Sequence, residues 1–563
     1  MRDRVGSLVF CLLGLGAAVA SGQSTLPLKH APKPTTPAIT AADLMTRLYI
    51  YADDSMMGRE AGTPGNVKAT NYIAAEVRRL GLQPAGDSGT YFQTIPLKTR
   101  SFDTTSTFTV AGAPLAAFQD YVALSRQPAS NAGVTTVFGG VLGDSTRVIS
   151  AEQAAGKLVV LTTGGFNTLR QLRRAPTIEG AWGVALVGLD DTPPQVMGFL
   201  QRPQTFLDDN QPTQQQPTVF LISRAAAARM FTGALDSLAI GTAGATAAID
   251  VRYSVTAIPD PARNVVAIVP GSDPKLRAEY VAIGAHNDHI GLGRPVDHDS
   301  IRLWNHTVRP EGADDGSKQA TPAQQALVDS ILTGYRAKHA GAARIDSISN
   351  GADDDGSGTV SALEVAERIV TLPTKPKRSI LFVWHVGEEK GLLGSRFFTD
   401  HPTVPRDSIV AQLNMDMVGR GEASDEVGRT KDGTPIHGSP TYLQLVGSRR
   451  LSTELGNLIE TVNTAGKHGL TLDYAIDADG HPSNIYCRSD HYEYARYGIP
   501  ITFFTTGLHS DYHQVTDEPE YINYDHMARV ANFVQDIAVH VANLDHRVVV
   551  DHPKPDPTAP CRQ

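Results

Sequence analysis

The sequence predicts an α/β protein: a mostly parallel sheet sandwiched by helices, with a β-rich domain inserted into it. Three observations carry that expectation. Short, almost wholly apolar runs such as Ser379 to Val386 have the composition of strands covered on both faces. Amphipathic stretches alternate with them, at Thr359 to Val370, Leu451 to Val462 and Met527 to Val541. From 103 to 255 the pattern changes to short β-rich runs broken by glycine, such as Gly156 to Leu161 and Gly183 to Gly188.

A chain of 563 residues exceeds what one hydrophobic core supports, so two domains are expected. Its net charge of −9 and the lack of a basic stripe argue against a nucleic-acid partner. At the N-terminus, Arg2 and Arg4 precede the apolar run Leu8 to Leu15 and the small residues Ala18-Val19-Ala20, which reads residues 1–20 as an export signal. The run is short for a membrane span, and no later stretch is long enough, so a periplasmic or extracellular protein is expected. Cys11 leaves with the signal. Cys487 and Cys561 remain, and outside the cytoplasm they are free to pair, although sequence alone does not join them.

Residues 21–40 are rich in Pro, Thr and Ala and read as a linker. Ala41 to Gly81 carries helical spacing at Ala69, Tyr72, Ile73, Val77 and Leu80, with Gly81 as the stop and a turn-forming loop from Gly58 to Gly65. The main domain is expected over 41–102 and 264–544. Its parallel-strand candidates include Val265 to Val269 and Tyr280 to Gly284. The stretch Pro203 to Pro217, rich in Gln and Pro, reads as a mobile loop. The proline-containing tail at 545–563 reads as extended.

The chemistry is concentrated at strand ends. After the run Ser379 to Val386 come Gly387, Glu388 and Glu389, where open α/β sheets place their ligands. Adjacent side chains cannot both point the same way, so one glutamate suits holding a cation and the other working on a water beside it. Tyr280 to Ala285 delivers His286, with Asp288 two residues on to orient the imidazole. His289 competes locally for the ligand role. Asn350 to Gly358 reads NGADDDGSG, three bunched carboxylates that repel unless a cation or a helix N-terminus offsets them. Asp353 is preferred here over the upstream near-copy Gly312 to Gly316, which no apolar helix follows directly. Asp416 ends the apolar run from Ile409, and a charge there is costly unless paired or metal-bound. Ser489-Asp490-His491 and Asp511 to Asp517, with His513, lie on loops near the strand Pro500 to Thr505.

Taken in order, His-x-Asp, Gly-Ala-Asp-Asp-Asp, Glu-Glu, a strand-end Asp, Ser-Asp-His and Tyr-His-x-x-x-Asp resemble the M28 family of dizinc exopeptidases. The resemblance covers the main domain. The insert resembles, more loosely, the protease-associated domain that many members carry. What this implies is a zinc exopeptidase fold with two Zn2+ held by His286, Asp353, Glu389, Asp416 and His513, Asp353 bridging them. It further implies Glu388 as general base, Asp288 as the group orienting His286, Asp490 meeting the substrate's end group, and a cis peptide between Asp353 and Asp354. One departure is the long segment 294–349 between His286 and Asp353. It contains a helix opening at Thr321-Pro322 and reads as a lid that narrows access.

The leading expectation is a secreted zinc aminopeptidase acting on peptides. A carboxypeptidase of the glutamate-carboxypeptidase type is the second, with Arg420, Arg429 and Arg488 available for a C-terminal carboxylate. A one-zinc glutaminyl cyclase fits the full ligand set less well. A metal-free, receptor-like relative should have lost ligands, and none is missing.

Overall fold

The computed structural model describes residues 26–144, 149–164, 178–209, 218–316, 318–339 and 343–563. The export segment expected at 1–20 lies outside them, as does 210–217 of the expected mobile loop. The chain divides into two compact units, Met1–Pro96 with Pro259–Gln563, and Leu97–Ile258. Among the described residues, no helix is long and apolar enough to cross a membrane.

The first unit is built on a sheet of nine described strands. In chain order they are β1 (Gln83–Pro84), β2 (Phe92–Ile95), β3 (Ala262–Val269) and β4 (Tyr280–His286), then, past a separate hairpin of β5 (Gly291–Asp297) and β6 (Ile345–Ser349), β7 (Ser379–His385), β8 (Ile409–Met415), β9 (Tyr442–Val446), β10 (Thr471–Asp473) and β11 (Ile501–Thr505). The spatial order is β1-β3-β7-β4-β8-β11-β9-β10, with β2 also paired to β3. The centre, β7-β4-β8-β11, is parallel. The sheet as a whole is mixed. Strand β3, read from sequence as a parallel candidate, runs antiparallel to β7, with Val265 opposite Trp384. An apolar run records burial on both faces but not direction.

Alternation sends neighbours of each strand to opposite faces. Val281, Ile283, Ala285, Ile380, Phe382 and Trp384 join one core, and Ala282, Leu381 and Val383 join the other. The first core is closed by α1 (Ala41–Tyr51), α2 (Pro64–Arg79), α5 (Gly358–Thr371), α6 (Thr453–Ala465) and α7 (Tyr524–Asn543), while α3 (His298–Val308) and α4 (Pro322–His339) lie in the 294–349 segment. Side-chain caps start several of them: Thr40 accepts from the N–H of Asp43, Ser452 from that of Leu455, and Asn523 from that of His526. The expected Thr321 start of α4 carries a reciprocal cap with Gln324. The tail is extended but anchored: Cys561 is disulfide-bonded to Cys487, and the Gln563 side chain accepts from the N–H of Tyr486.

A buried cation ties three helices together. Arg47 on α1 is 1% exposed and pairs with Glu76 of α2 at 2.6 Å, Glu367 of α5 at 2.5 Å, and Glu364 of α5. Removing it leaves the buried Glu364 of α5 without its cation and leaves Glu367 to Arg79 at 3.2 Å. Arg47→Met is therefore expected to destabilise the protein by about 3–5 kcal/mol, measured by urea unfolding. A loss inside the range of an exposed ion pair, about 1 kcal/mol or less, would contradict this role.

The second unit, Leu97–Ile258, holds an eight-stranded and a three-stranded sheet among its described residues. Its parallel ladder Ala129–Val141, Leu158–Thr162, Gly183–Val187 and Thr218–Ile222 has apolar residues on both faces, which form two separate cores.

Candidate metal centre

The carboxyl ends of the central parallel strands carry the candidate residues, as expected for an open α/β sheet. β4 ends in His286, Glu388 and Glu389 follow β7, Asp416 follows β8, and the loop after β11 holds His509 to Asp517. Opposite them, the segment before α5 supplies three buried aspartates.

Of the five ligands expected from the sequence, His286, Glu389, Asp416 and His513 converge. Asp353 does not join them. Its Oδ1 accepts the N–H of Gly419 at 2.7 Å, and its Oδ2 lies 3.3 Å from His509 Nε2. Asp354 takes the central place instead. Its Oδ1 is 3.1 Å from His286 Nε2 and its Oδ2 is 3.0 Å from His513 Nε2. On the first side, Asp416 Oδ1 stands 3.6 Å from His286 Nε2. On the second, Glu389 Oε2 stands 3.0 Å from His513 Nε2, and Glu389 Oε1 is 2.8 Å from His289 Nδ1.

The reason lies in the local backbone. Asp354 and Asp355 have non-helical dihedrals (φ −103°, ψ 99° and φ −113°, ψ 49°), so successive carboxylates leave the chain in different directions. Asp355 turns inward to accept the N–H of His286 at 2.9 Å and of Gly358 at 2.8 Å, locking β4 to the start of α5. Asp517 accepts the N–H groups of Asp353 and Asp354 at 3.0 Å, which fixes the segment from the other side. The cis peptide lies between Asp354 and Asp355, one bond beyond its expected position.

The supporting groups differ in part from expectation. His286 Nδ1 meets the backbone carbonyl of Asp288 at 3.0 Å, while the Asp288 carboxylate is 3.8 Å away. That carboxylate accepts the N–H of Gly387 at 2.7 Å and of Glu388 at 3.2 Å, so Asp288 holds the loop of the two glutamates. Ser489 donates to Asp416 Oδ2 at 2.7 Å and accepts from Asn414, leaving Oδ1 of Asp416 to face the imidazole. Asp490, expected at the substrate's end group, is fully buried and faces His385 Nδ1 at 3.3 Å instead of the pocket. His385 completes that internal chain through Tyr494 at 2.9 Å. Sequence reasoning missed Asp354, Asp355 and Asp517. The triple aspartate was the signal, but choosing the member that faces both imidazoles requires the dihedrals.

The two adjacent glutamates are pushed apart electrostatically. Burial drives the Glu388 carboxyl well above the usual range, and the charges of Asp416 and Glu389 add to this against His286. Burial acts on Glu389 in the same sense, yet the His513 and His289 imidazoles hold it down at about 2. Burial lifts Asp288 to about 7.

The donor set fits a pair of divalent cations. His289, Asp354, Glu389 and His513 offer ligand atoms all within 4.8 Å of one another, as do His286, Asp355 and Asp416. In the second group, the oxygens of Asp355 are already engaged by backbone N–H groups, so the Oδ1 of Asp354 is the better third donor. Buried atoms left without a hydrogen bond include His286 Nε2, Asp354 Oδ2, Glu389 Oε1 and Asp416 Oδ1. Gathering so many unpaired donors out of water is costly without a cation. Imidazole with carboxylate is a combination suited to zinc.

A pocket opens beside the cluster, lined by Asp354, Glu388, Asp416 and His513 at one end and by Val427, Ile476, Ile485, Phe503 and Leu508 beyond. The three arginines considered for a C-terminal carboxylate are each engaged. Arg420 pairs with buried Asp511 at 2.9 Å, Arg429 with Glu311 at 2.9 Å and with Glu426, and Arg488 with Asp314 at 2.5 Å.

Residues 328–538 match the model for peptidase family M28. Leucine aminopeptidase 1 of Arthroderma otae is 28% identical over 188 residues, which cover 33% of this chain and 46% of that one. Leucine aminopeptidase 1 of Sclerotinia sclerotiorum is 29% identical over 204 residues, 34% and 47% of the two chains. The chain thus spans about half the length of the curated relatives it matches. Among solved structures, an aminopeptidase from Aneurinibacillus sp. strain AM-1 aligns over 92% of this chain and 97% of its own, at 16% identity and a TM-score of 0.48.

Proposed function

We propose, from the match of residues 328–538 to the model for peptidase family M28, that this protein is an exported two-zinc aminopeptidase releasing N-terminal residues from peptides. The observation that carries the reading is the Asp354 carboxylate, in the wall of a largely apolar pocket, with one oxygen toward His286 and the other toward His513. His286, Asp416 and Asp354 would hold one ion, and Glu389, His513 and Asp354 the other, with His289 facing the free oxygen of Glu389. Zinc bound there supplies Lewis acidity toward a peptide carbonyl and toward water.

The chain's own residues do the rest. Glu388 stands in the pocket wall beside this cluster, half-buried, and is the base that takes a proton from water and returns it to the leaving amine. Asp288 keeps its backbone in place, and Ser489 fixes the orientation of Asp416. The apolar walls receive the side chain of the residue to be released and exclude water from it. Engagement of Arg420, Arg429 and Arg488 by carboxylates favours an aminopeptidase over a carboxypeptidase. The Cys487–Cys561 disulfide supports export to an oxidising compartment, periplasmic or extracellular.

The test is a panel of reporters with free and acetylated N-termini, assayed with and without chelator. Release of leucine from the free-amine reporter only, lost with chelator and restored by zinc, is expected. Release from the C-terminus of N-blocked peptides, or turnover indifferent to chelator, would overturn the reading.

A further inference from the structure

The 294–349 segment does more than lie near the site. Its turn Gly312–Asp315 docks on the loop that carries His513: the N–H of Ala313 donates to the carbonyl of Tyr512 at 3.1 Å. Gly312, at φ +58°, approaches so closely that a Cβ would fall 2.7 Å from the Tyr512 oxygen and 2.8 Å from that of His509. This docking brings two carboxylates to the pocket's two lining arginines. Asp314 holds Arg488 through both oxygens, at 2.5 and 3.0 Å, and Glu311 holds Arg429 at 2.9 Å. Arg488 also donates toward the Tyr512 hydroxyl at 3.4 Å, in the pocket wall. The guanidinium is thus turned toward the segment, with its fork already matched to a carboxylate.

We infer that Asp314 is a specificity-determining residue: it masks Arg488, so that a pocket containing arginines accepts apolar side chains and rejects acidic ones. This rests on the aminopeptidase reading and adds the identity of the residue released. Two effects act in the same direction. A glutamyl side chain entering the pocket finds the Arg488 fork occupied, and the Asp314 charge offsets that of the guanidinium it would need. With Asp314 neutral, the same carboxylate would find an unpaired guanidinium in a half-enclosed wall. The near-copy of the aspartate motif at 312–316 thereby acquires a role as a charge mask.

The experiment compares kcat/KM for glutamyl and leucyl reporters in the full-length wild type, in Asp314→Asn and Asp314→Ser, and in Asp314→Asn combined with Arg488→Gln. The glutamyl-to-leucyl ratio is expected to rise by about tenfold or more in either Asp314 variant. It should return to the wild-type value in the double variant. Two Asp314 substitutions are used so that either one retaining leucyl turnover reports the ratio. If the wild type releases neither residue, the aminopeptidase reading fails. If it releases leucine while the Asp314 variants keep the wild-type ratio, or the gain persists without Arg488, the reading stands and this inference is overturned.

Discussion

Glu388→Gln is expected to lower kcat for a leucyl reporter by about 10²–10⁴-fold while the protein keeps its full metal content. The substitution preserves the size of the side chain and removes only its capacity to accept a proton. Glu388 lines the pocket with Asp354, Asp416 and His513, yet it belongs to neither group of ligand atoms that converge within 4.8 Å. Its neighbour Glu389 does belong, facing His513 at 3.0 Å. The two carboxyls are also separated in proton affinity, Glu388 raised by burial and Glu389 held at about 2 by its imidazoles against burial. The loss should fall in kcat with KM little changed, the pattern of an interaction made in the transition state. Undiminished turnover, or metal lost together with activity, would remove Glu388 from the role of base.

Asp354→Asn should abolish binding at both cation positions, because among the described residues Asp354 alone presents one oxygen to each side. An amide retains one oxygen and carries no charge, so at most one side keeps a donor. The loss in metal affinity should exceed the about 10–100-fold that follows removal of an outer-shell partner. Asp353→Asn supplies the contrast. Asp353 engages the N–H of Gly419 and faces His509, and its amide can still accept from Gly419. Its effect should stay within that outer-shell range.

Legibility in the sequence followed physical periodicity. The runs Ser379 to Val386 and Ile409 to Met415 stood out because parallel strands covered on both faces must be apolar throughout. Helices α5, α6 and α7 were visible through their 3.6-residue spacing, with ends within a few residues of those expected. Of the candidate ligands, His286, Asp416 and Glu389 stood out in the sequence because each lies at or just past a strand end. Where the backbone is irregular, that logic fails. No periodic pattern distinguishes Asp353, Asp354 and Asp355, whose directions are set by Asp517 and by the N–H groups of His286 and Gly358. Asp490 was misplaced for a related reason: its motif position suggested a pocket, while His385, far away in sequence, draws it inward. The partnership of Arg488 with Asp314 spans 174 positions and leaves no local trace.

In the proposed site one carboxylate, that of Asp354, joins two cation positions. Elemental analysis of purified wild type, Asp354→Asn and Asp353→Asn tests it most directly. Two equivalents of zinc are expected in the wild type and in Asp353→Asn, and loss of both in Asp354→Asn. A wild type without stoichiometric metal, or an Asp354→Asn protein that retains both ions, would contradict it.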